Sequence, residues 1–348
     1  MITILATIFV LGVLIFFHEL GHFLVAKKSG IRVDKFSLGF PPTILSKKYG
    51  DTEYAIGLIP LGGYVKMAGE NPDEEAKGEP WEFMSKPVWK RFLVIFAGPF
   101  MNFILAIGVL TGVYAIRGQV VDNMVVINEV QEDSPAAKAG MLPGDRIIEI
   151  DGITIESFRQ MAEEIIYPKV EKPITITWDR DGSKLTSTLV TQSGWTFTGP
   201  KDSVQVGLIG INPRAIYERM NVFDAFTTGI EQSVFYVKMV FGFVWGLINR
   251  TIDASGIGGP IFISQLAGKT AKSGFGVLLE FMALLSVNLA VLNILPIPVL
   301  DGGHMVFLGI EKLKGSPVSI KARLIAQQVG LAFMLILIVF VTFNDITR

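Results

Sequence analysis

Residues 2–28 run ITILATIFVLGVLIFFHELGHFLVAKK, and this one segment carries both a membrane signal and a metal-binding signal. From Ile2 to Phe17 it contains no charge; His18-Glu19-Leu20-Gly21-His22 follows, and apolar residues resume to Ala26. A helix over 2–26 is long enough to cross a hydrocarbon core of about 30 Å. Within it, His18 and His22 stand at i and i+4, one turn apart on one face. Both can bind Zn²⁺ there, while the glutamate between them can act as a general base. Charged and metal-binding groups at lipid depth are costly and therefore functional by default. A signal peptide would begin with basic residues and end at a small-residue cleavage site. Here Lys27 and Lys28 come after the apolar stretch, so the segment reads as a transmembrane helix.

The rest of the chain agrees with a membrane setting. Half of its 348 residues are hydrophobic and only 18% are charged. The mean hydropathy of +0.48 exceeds that of an ordinary soluble domain, so several spans are expected. A net charge of -1 gives no reason to expect a nucleic-acid partner. The absence of cysteine excludes disulfides and thiolate ligands, leaving His, Asp or Glu to hold a metal. There are three histidines, and the third, His304, follows Asp301 by three positions.

Further spans are predicted over 92–116, 275–297 and 324–343. Basic residues follow the first span (Lys27, Lys28), precede the second (Lys86, Lys90, Arg91), and lie between the last two (Lys312, Lys314, Lys321, Arg323). The positive-inside rule then puts both termini outside and the 27–91 and 301–323 connections in the cytoplasm. Both ends of the candidate metal site fall toward that side. Residues 221–249 are apolar, yet Asp224, Glu231 and Lys238 recur every seven positions. A charged stripe favours an amphipathic interfacial helix within 213–250; a fifth span is the alternative. The acidic run Asp73-Glu74-Glu75 with Lys77 reads as a solvated loop.

Residues 119–212 form a soluble module inserted between membrane parts 1–118 and 251–348. Ser134-Pro135-Ala136-Ala137-Lys138-Ala139-Gly140 predicts a short helix capped by Ser134. Pro143-Gly144-Asp145 predicts a turn into a strand at Ile147–Ile150, and Asp151-Gly152 a hairpin. Ile174–Trp178 alternates as a further strand. The pattern looks like a PDZ domain, a fold that takes extended peptide or C-terminal segments along a sheet edge.

Two histidines do not complete a zinc site, since catalytic zinc takes three protein ligands and leaves a fourth position for water. The extended soluble pattern fails, because Val25 and Lys28 occupy its Gly and His positions. Asp301, in Asn293-Ile294-Leu295-Pro296-Ile297-Pro298-Val299-Leu300-Asp301-Gly302-Gly303, is the best candidate for the third. The prolines let the chain bend at a helix end, and the glycine pair is expected to let the backbone approach the metal. His304 reads as a neighbour of the site.

His18–His22, Asn293–Gly303 and the PDZ-like insertion together resemble the site-2 protease family of intramembrane zinc metalloproteases (peptidase M50). The resemblance is closest to bacterial regulator-of-sigma-E proteases, with one PDZ domain here where a well-studied relative has two. It implies a polytopic α-helical membrane protein of about four spans, with a membrane-reentrant β-hairpin at 53–68 that includes Gly57–Met67. It implies Zn²⁺ on His18, His22 and Asp301, with Glu19 as the catalytic base. It also implies substrate contacts from Asn288, Asn293, Gly62, Gly63 and Tyr64. Ala97-Gly98-Pro99-Phe100-Met101-Asn102 is a further matching segment. The implied partners are the lipid bilayer, peptides at the PDZ domain, and transmembrane protein substrates such as anti-sigma factors and remnant signal peptides. The implied place is the bacterial cytoplasmic (inner) membrane, with the PDZ domain on the periplasmic side. The rival reading is a membrane-tethered PDZ scaffold or quality-control adaptor without turnover. Whether the PDZ domain recruits or excludes substrates stays open.

Overall fold

The computed structural model describes residues 1–70, 78–121, 124–197, 203–214, 216–251 and 257–347; the acidic run at Asp73 lies outside them. In chain order the elements begin with the helix α1 (Ile2–Lys28), the strands β1 (Val33–Tyr49) and β2 (Thr52–Met67), and the helix α2 (Val88–Arg117). A β-rich run from β3 (Gln119–Val121) to β12 (Ile216–Glu218) follows, with the one-turn helix α3 (Pro135–Lys138) inside it. The chain closes with the helices α4 (Val222–Ile248), α5 (Pro260–Ser273), α6 (Phe275–Ile294), α7 (Asp301–Lys314) and α8 (Ile320–Thr347). Helices α1, α2 and α4–α8 with β1 and β2 form one compact unit, and β3–β12 form another.

Among the described residues of the first unit, the four helices α1, α2, α6 and α8 are long and apolar enough to cross a membrane. Their ends differ from the apolar stretches by a few residues. Hydropathy marks where the lipid-compatible surface stops, whereas the backbone helix continues into the polar ends, as at Lys27 and Lys28 in the last turn of α1. The reverse occurs at α6, which ends at Ile294 rather than 297. Leu295 is extended (ψ 145°) because the residue before a proline is driven out of the helical region. α1 lays Ala6, Val10 and Leu14 against α5 and α6 in one buried cluster. The amphipathic α4 starts on an Asn221 cap whose side chain accepts the Asp224 N–H at 2.9 Å. It buries Ala225, Gly229, Ser233 and Val240 and leaves Asp224 and Glu231 exposed.

The hairpin expected at 53–68 is larger than that, and its partner strand was not legible. β1 and β2 each bend on themselves, so that Phe36 pairs with both Tyr54 and Val65. The leg 43–49 pairs with 52–57, and Gly63–Met67 runs along the other side of Val33–Leu38. Pro41-Pro42 marks the bend, where pairing jumps from Phe40–Ile59 to Thr43–Gly57. Among the described residues Gly63–Met67 pairs on one side only, which makes it an edge strand.

A buried ion pair fastens α7 to α2. Arg91 is 4% exposed; its Nη1 donates to Glu311 Oε2 at 3.0 Å and its Nε to the Lys86 carbonyl at 2.9 Å. Removing one partner leaves an uncompensated buried charge, which costs about 3–5 kcal/mol. Glu311→Gln is therefore expected to lower the thermal unfolding temperature of the detergent-solubilised chain sharply. A change within the error of the melt would show that this pair is solvated.

In the second unit β11 (Ile211–Pro213), β4 (Val125–Val130), β5 (Arg146–Ile150), β7 (Pro173–Arg180) and β8 (Ser183–Val190) lie in that order, with β6 (Ile153–Thr154) beside β5. Ile174, Ile176 and Trp178 alternate into the core, while Thr175 and Thr177 meet Thr188 and Thr186 across the other face at 3.2 and 3.0 Å. Ser134 caps α3 by accepting from Ala137 N at 3.1 Å. Asp151-Gly152 and Asp181-Gly182 have positive φ at both positions, as a two-residue hairpin requires.

Asp145 is 1% exposed. Burial raises its pKa, but two hydrogen bonds from Arg180 at 2.7 Å and one from Leu142 N at 2.8 Å leave it below the ordinary value. A depressed carboxyl stabilises the folded state above its unfolded pKa of about 3.9 and ceases to do so as pH falls through the lower folded value. Wild type should thus lose protection of β5 and β7 amides on acidification below about pH 4. Asp145→Asn should be less protected at neutral pH and show a flatter acid limb. Parallel profiles by hydrogen exchange would refute this linkage.

Candidate metal centre

Asp301 reaches the histidines because the chain turns sharply after α6. Ile297 N donates to the Leu295 carbonyl at 2.7 Å and Leu300 N to the Ile297 carbonyl at 3.1 Å, so Asp301 becomes the first residue of α7. Val299, two residues before it, has φ 93°, a region that a β-branched residue occupies only under strain. What the glycine pair approaches closely is the proline turn. A Cβ on Gly302 would lie 2.0 Å from the Leu295 carbonyl oxygen, and one on Gly303 2.5 Å from that of Ile297. The pair lets the first turn of α7 pack onto the proline turn.

His18 Nε2 lies 3.2 Å from Asp301 Oδ2, His22 Nε2 3.6 Å from Asp301 Oδ1, and the two Nε2 atoms 3.2 Å apart. The His22 Nδ1 is within 2.8 Å of the Val94 carbonyl, which can only accept, so Nδ1 carries the proton and Nε2 presents a lone pair. Asp301 Oδ2 is buried without a hydrogen-bond partner. Donor atoms about 2.0–2.2 Å from a tetrahedral zinc stand roughly 3.3–3.6 Å from one another. Two imidazoles, one carboxylate and these separations fit zinc, and among the described residues this is the group of three that could hold a metal.

The three residues line a cavity of about 440 Å³ together with Glu19, Gly63, Tyr64, Asn293 and His304. The Glu19 carboxylate accepts a hydrogen bond from the Val65 backbone, tying the base to the edge strand. Asn293 places its Nδ2 3.5 Å from His18 Nε2. Gly62 and Asn288 are not among the lining residues: Gly62 faces the Phe40 ring, and Asn288 lies five residues before Asn293 on α6. His304 lies outside the ligating three. Its burial pushes the imidazole below its ordinary pKa.

The structure adds Glu70, Arg323 and Val94, which carried no clear signal in sequence, and gives Gly98 and Asn102 of the matching segment a place. Glu70 and Arg323 line the same cavity, and burial pushes the Glu70 carboxyl up to about 7. α2 contributes Val94 and Asn102, one on each side of Gly98. A Cβ on Gly98 would lie 2.2 Å from His22 Nε2 and 2.8 Å from His18 Cε1. The signal available was the four-residue spacing of 94, 98 and 102, which places all three on one helix face.

The family model described as Peptidase family M50 matches residues 6–337. A relative from Rhizobium meliloti that bears the name "Putative zinc metalloprotease" is 37% identical, the match covering 99% of this chain and 96% of its own length. One of the same name from Agrobacterium fabrum is 35% identical, covering 98% and 94%. A solved PDZ domain of an SdrC-like protein from Listeria monocytogenes is similar at 24% identity over 27% of this chain and 92% of that one, with a TM-score of 0.22.

Proposed function

This chain belongs to peptidase family M50, and from that premise we propose that it is a zinc-dependent endopeptidase that cleaves single-span membrane proteins at or within the bilayer. The observation that carries the proposal is the convergence of His18 and His22 from an apolar helix with Asp301, 279 positions after His22, around one point beside Glu19.

When bound, zinc supplies Lewis acidity, which acidifies water and polarises a peptide carbonyl. The residues of the chain do the rest. Glu19 accepts the proton of the attacking water and delivers it to the leaving amine. A transmembrane substrate arrives helical, its carbonyls already hydrogen-bonded, so a short stretch must unwind before any bond is exposed. Gly63–Val65, the part of the edge strand that lines the cavity, is where the unwound stretch adds as a further strand. Val65 N–H is engaged by Glu19, which couples the seated strand to the base. The Asn293 amide supplies donors to the freed substrate carbonyls. Asn288, away from the cavity lining, is assigned no direct contact.

The basic residues flanking α1, α2 and α8 favour a cytoplasmic location for the active-site end of the bundle, in a bacterial inner membrane. The β-rich unit then acts on the periplasmic side as a PDZ domain that reads peptide or carboxyl termini. In this setting the enzyme performs the second cut of regulated intramembrane proteolysis on anti-sigma factors and remnant signal peptides. The test uses the full chain in liposomes with a single-span peptide. Cleavage within the membrane segment that a chelator abolishes and zinc restores is expected; cleavage indifferent to the chelator would overturn the proposal.

A further inference from the structure

His22 has its proton placed by the Val94 carbonyl, but the tautomer of His18 requires a separate device. For both histidines to offer Nε2 lone pairs to one metal, His18 Nδ1 must carry a proton and needs a buried acceptor. Asn102 stands there. Its side chain is fully buried on α2, with the carboxamide 3.5 Å from His18 Nδ1. As placed, Nδ2 faces that ring nitrogen and Oδ1 is buried without a partner. The ends of a carboxamide exchange by a half-turn, and the surrounding hydrogen bonds decide which is which. With a protonated Nδ1 beside it, the oxygen faces the histidine.

Asn102 is also held in place. Ser286 Oγ on α6, itself fully buried, donates to the Asn102 backbone carbonyl at 2.7 Å. α2 therefore presents two acceptors to the two imidazoles, a main-chain carbonyl at 94 and a side-chain amide at 102, on either side of the glycine that lets the rings approach.

We infer that Asn102 is a positioning residue: its Oδ1 accepts from His18 Nδ1–H and so fixes the tautomer and ring orientation that turn His18 Nε2 toward the metal. This rests on the zinc reading given above. The role predicts a specific ordering of variants. Asn102→Leu keeps the volume but removes the acceptor, and should weaken zinc binding by about 10- to 100-fold. Asn102→Asp keeps an acceptor and adds charge, and should bind zinc at least as tightly as wild type.

The experiment is zinc affinity by chelator competition on the purified full-length chain in detergent, for wild type and both variants, with ¹⁵N histidine spectra of the zinc-loaded wild type. With three histidines in the chain, the ring signals can be assigned by single substitution. Expected are an Nδ1-protonated His18 in wild type, a weakened Leu variant and an Asp variant that holds zinc. Equal affinity in wild type and Asn102→Leu would overturn the assignment, as would an equal loss in both variants, which marks mere packing. The wild-type spectrum needs no variant to fold, and a His18 protonated at Nε2 also refutes it. Wild type that binds no zinc at all would instead sink the parent proposal.

Discussion

Glu19→Gln is expected to lower peptide-bond cleavage by about 10²–10⁴-fold while leaving zinc bound, the range that loss of a general acid–base typically costs. Glutamine nearly matches glutamate in shape and keeps an oxygen to accept from the Val65 backbone, so the edge strand has no reason to move. It cannot take the proton from water. The ligands His18, His22 and Asp301 are untouched, and they form the ligating cluster without Glu19. Metal content and rate should therefore separate in this variant. Loss of zinc together with rate would recast Glu19 as a ligand, and a retained rate would remove it from the mechanism.

Gly98→Ala is expected to produce the opposite pattern, loss of the metal first. The added methyl would stand 2.2 Å from His22 Nε2 and 2.6 Å from its Cε1, on the side from which the ring faces the metal. Relief demands either rotation of the imidazole, which breaks the Val94 hydrogen bond, or retreat of α2 from α1. The second route is also resisted, because Gly21 on α1 lies against the Ala97 backbone, where a Cβ would come within 2.2 Å of the carbonyl oxygen. Zinc affinity should fall by more than the roughly 10- to 100-fold typical of losing an outer-shell partner. Gly108→Ala on the same helix meets nothing within 4 Å and serves as the control. Equal zinc affinity in the two variants would show that the helices separate without cost to the site.

Much of the site was legible because its chemistry is concentrated in rare residues. Three histidines and no cysteine leave few ways to bind a metal, and the i, i+4 pair with an intervening glutamate is a local pattern. Asp301 was readable only as the acidic residue in a proline- and glycine-rich helix exit, since nothing local encodes its distance to His18. The spans were plain from hydropathy, and their ends were not, because the helical backbone outlasts the apolar surface. The partner of the 53–68 hairpin went unseen for a different reason. Strand β1 holds two prolines and a lysine pair, so its local signals oppose the pairing that β2 imposes. Asn102, Val94 and Gly98 act through packing between α1 and α2, and a carbonyl such as that of Val94 leaves no trace in sequence at all. Gly302 and Gly303 share that ground: a glycine announces a close approach without naming what approaches, here the proline turn.

The claim on which everything else depends is that residues from opposite ends of the chain form one zinc site. Elemental analysis of the purified chain, dialysed against a weak chelator, tests it most directly. One zinc per chain is predicted for wild type and for Glu19→Gln, and none for Asp301→Ala. A full complement of zinc in Asp301→Ala, or none in wild type, would contradict it.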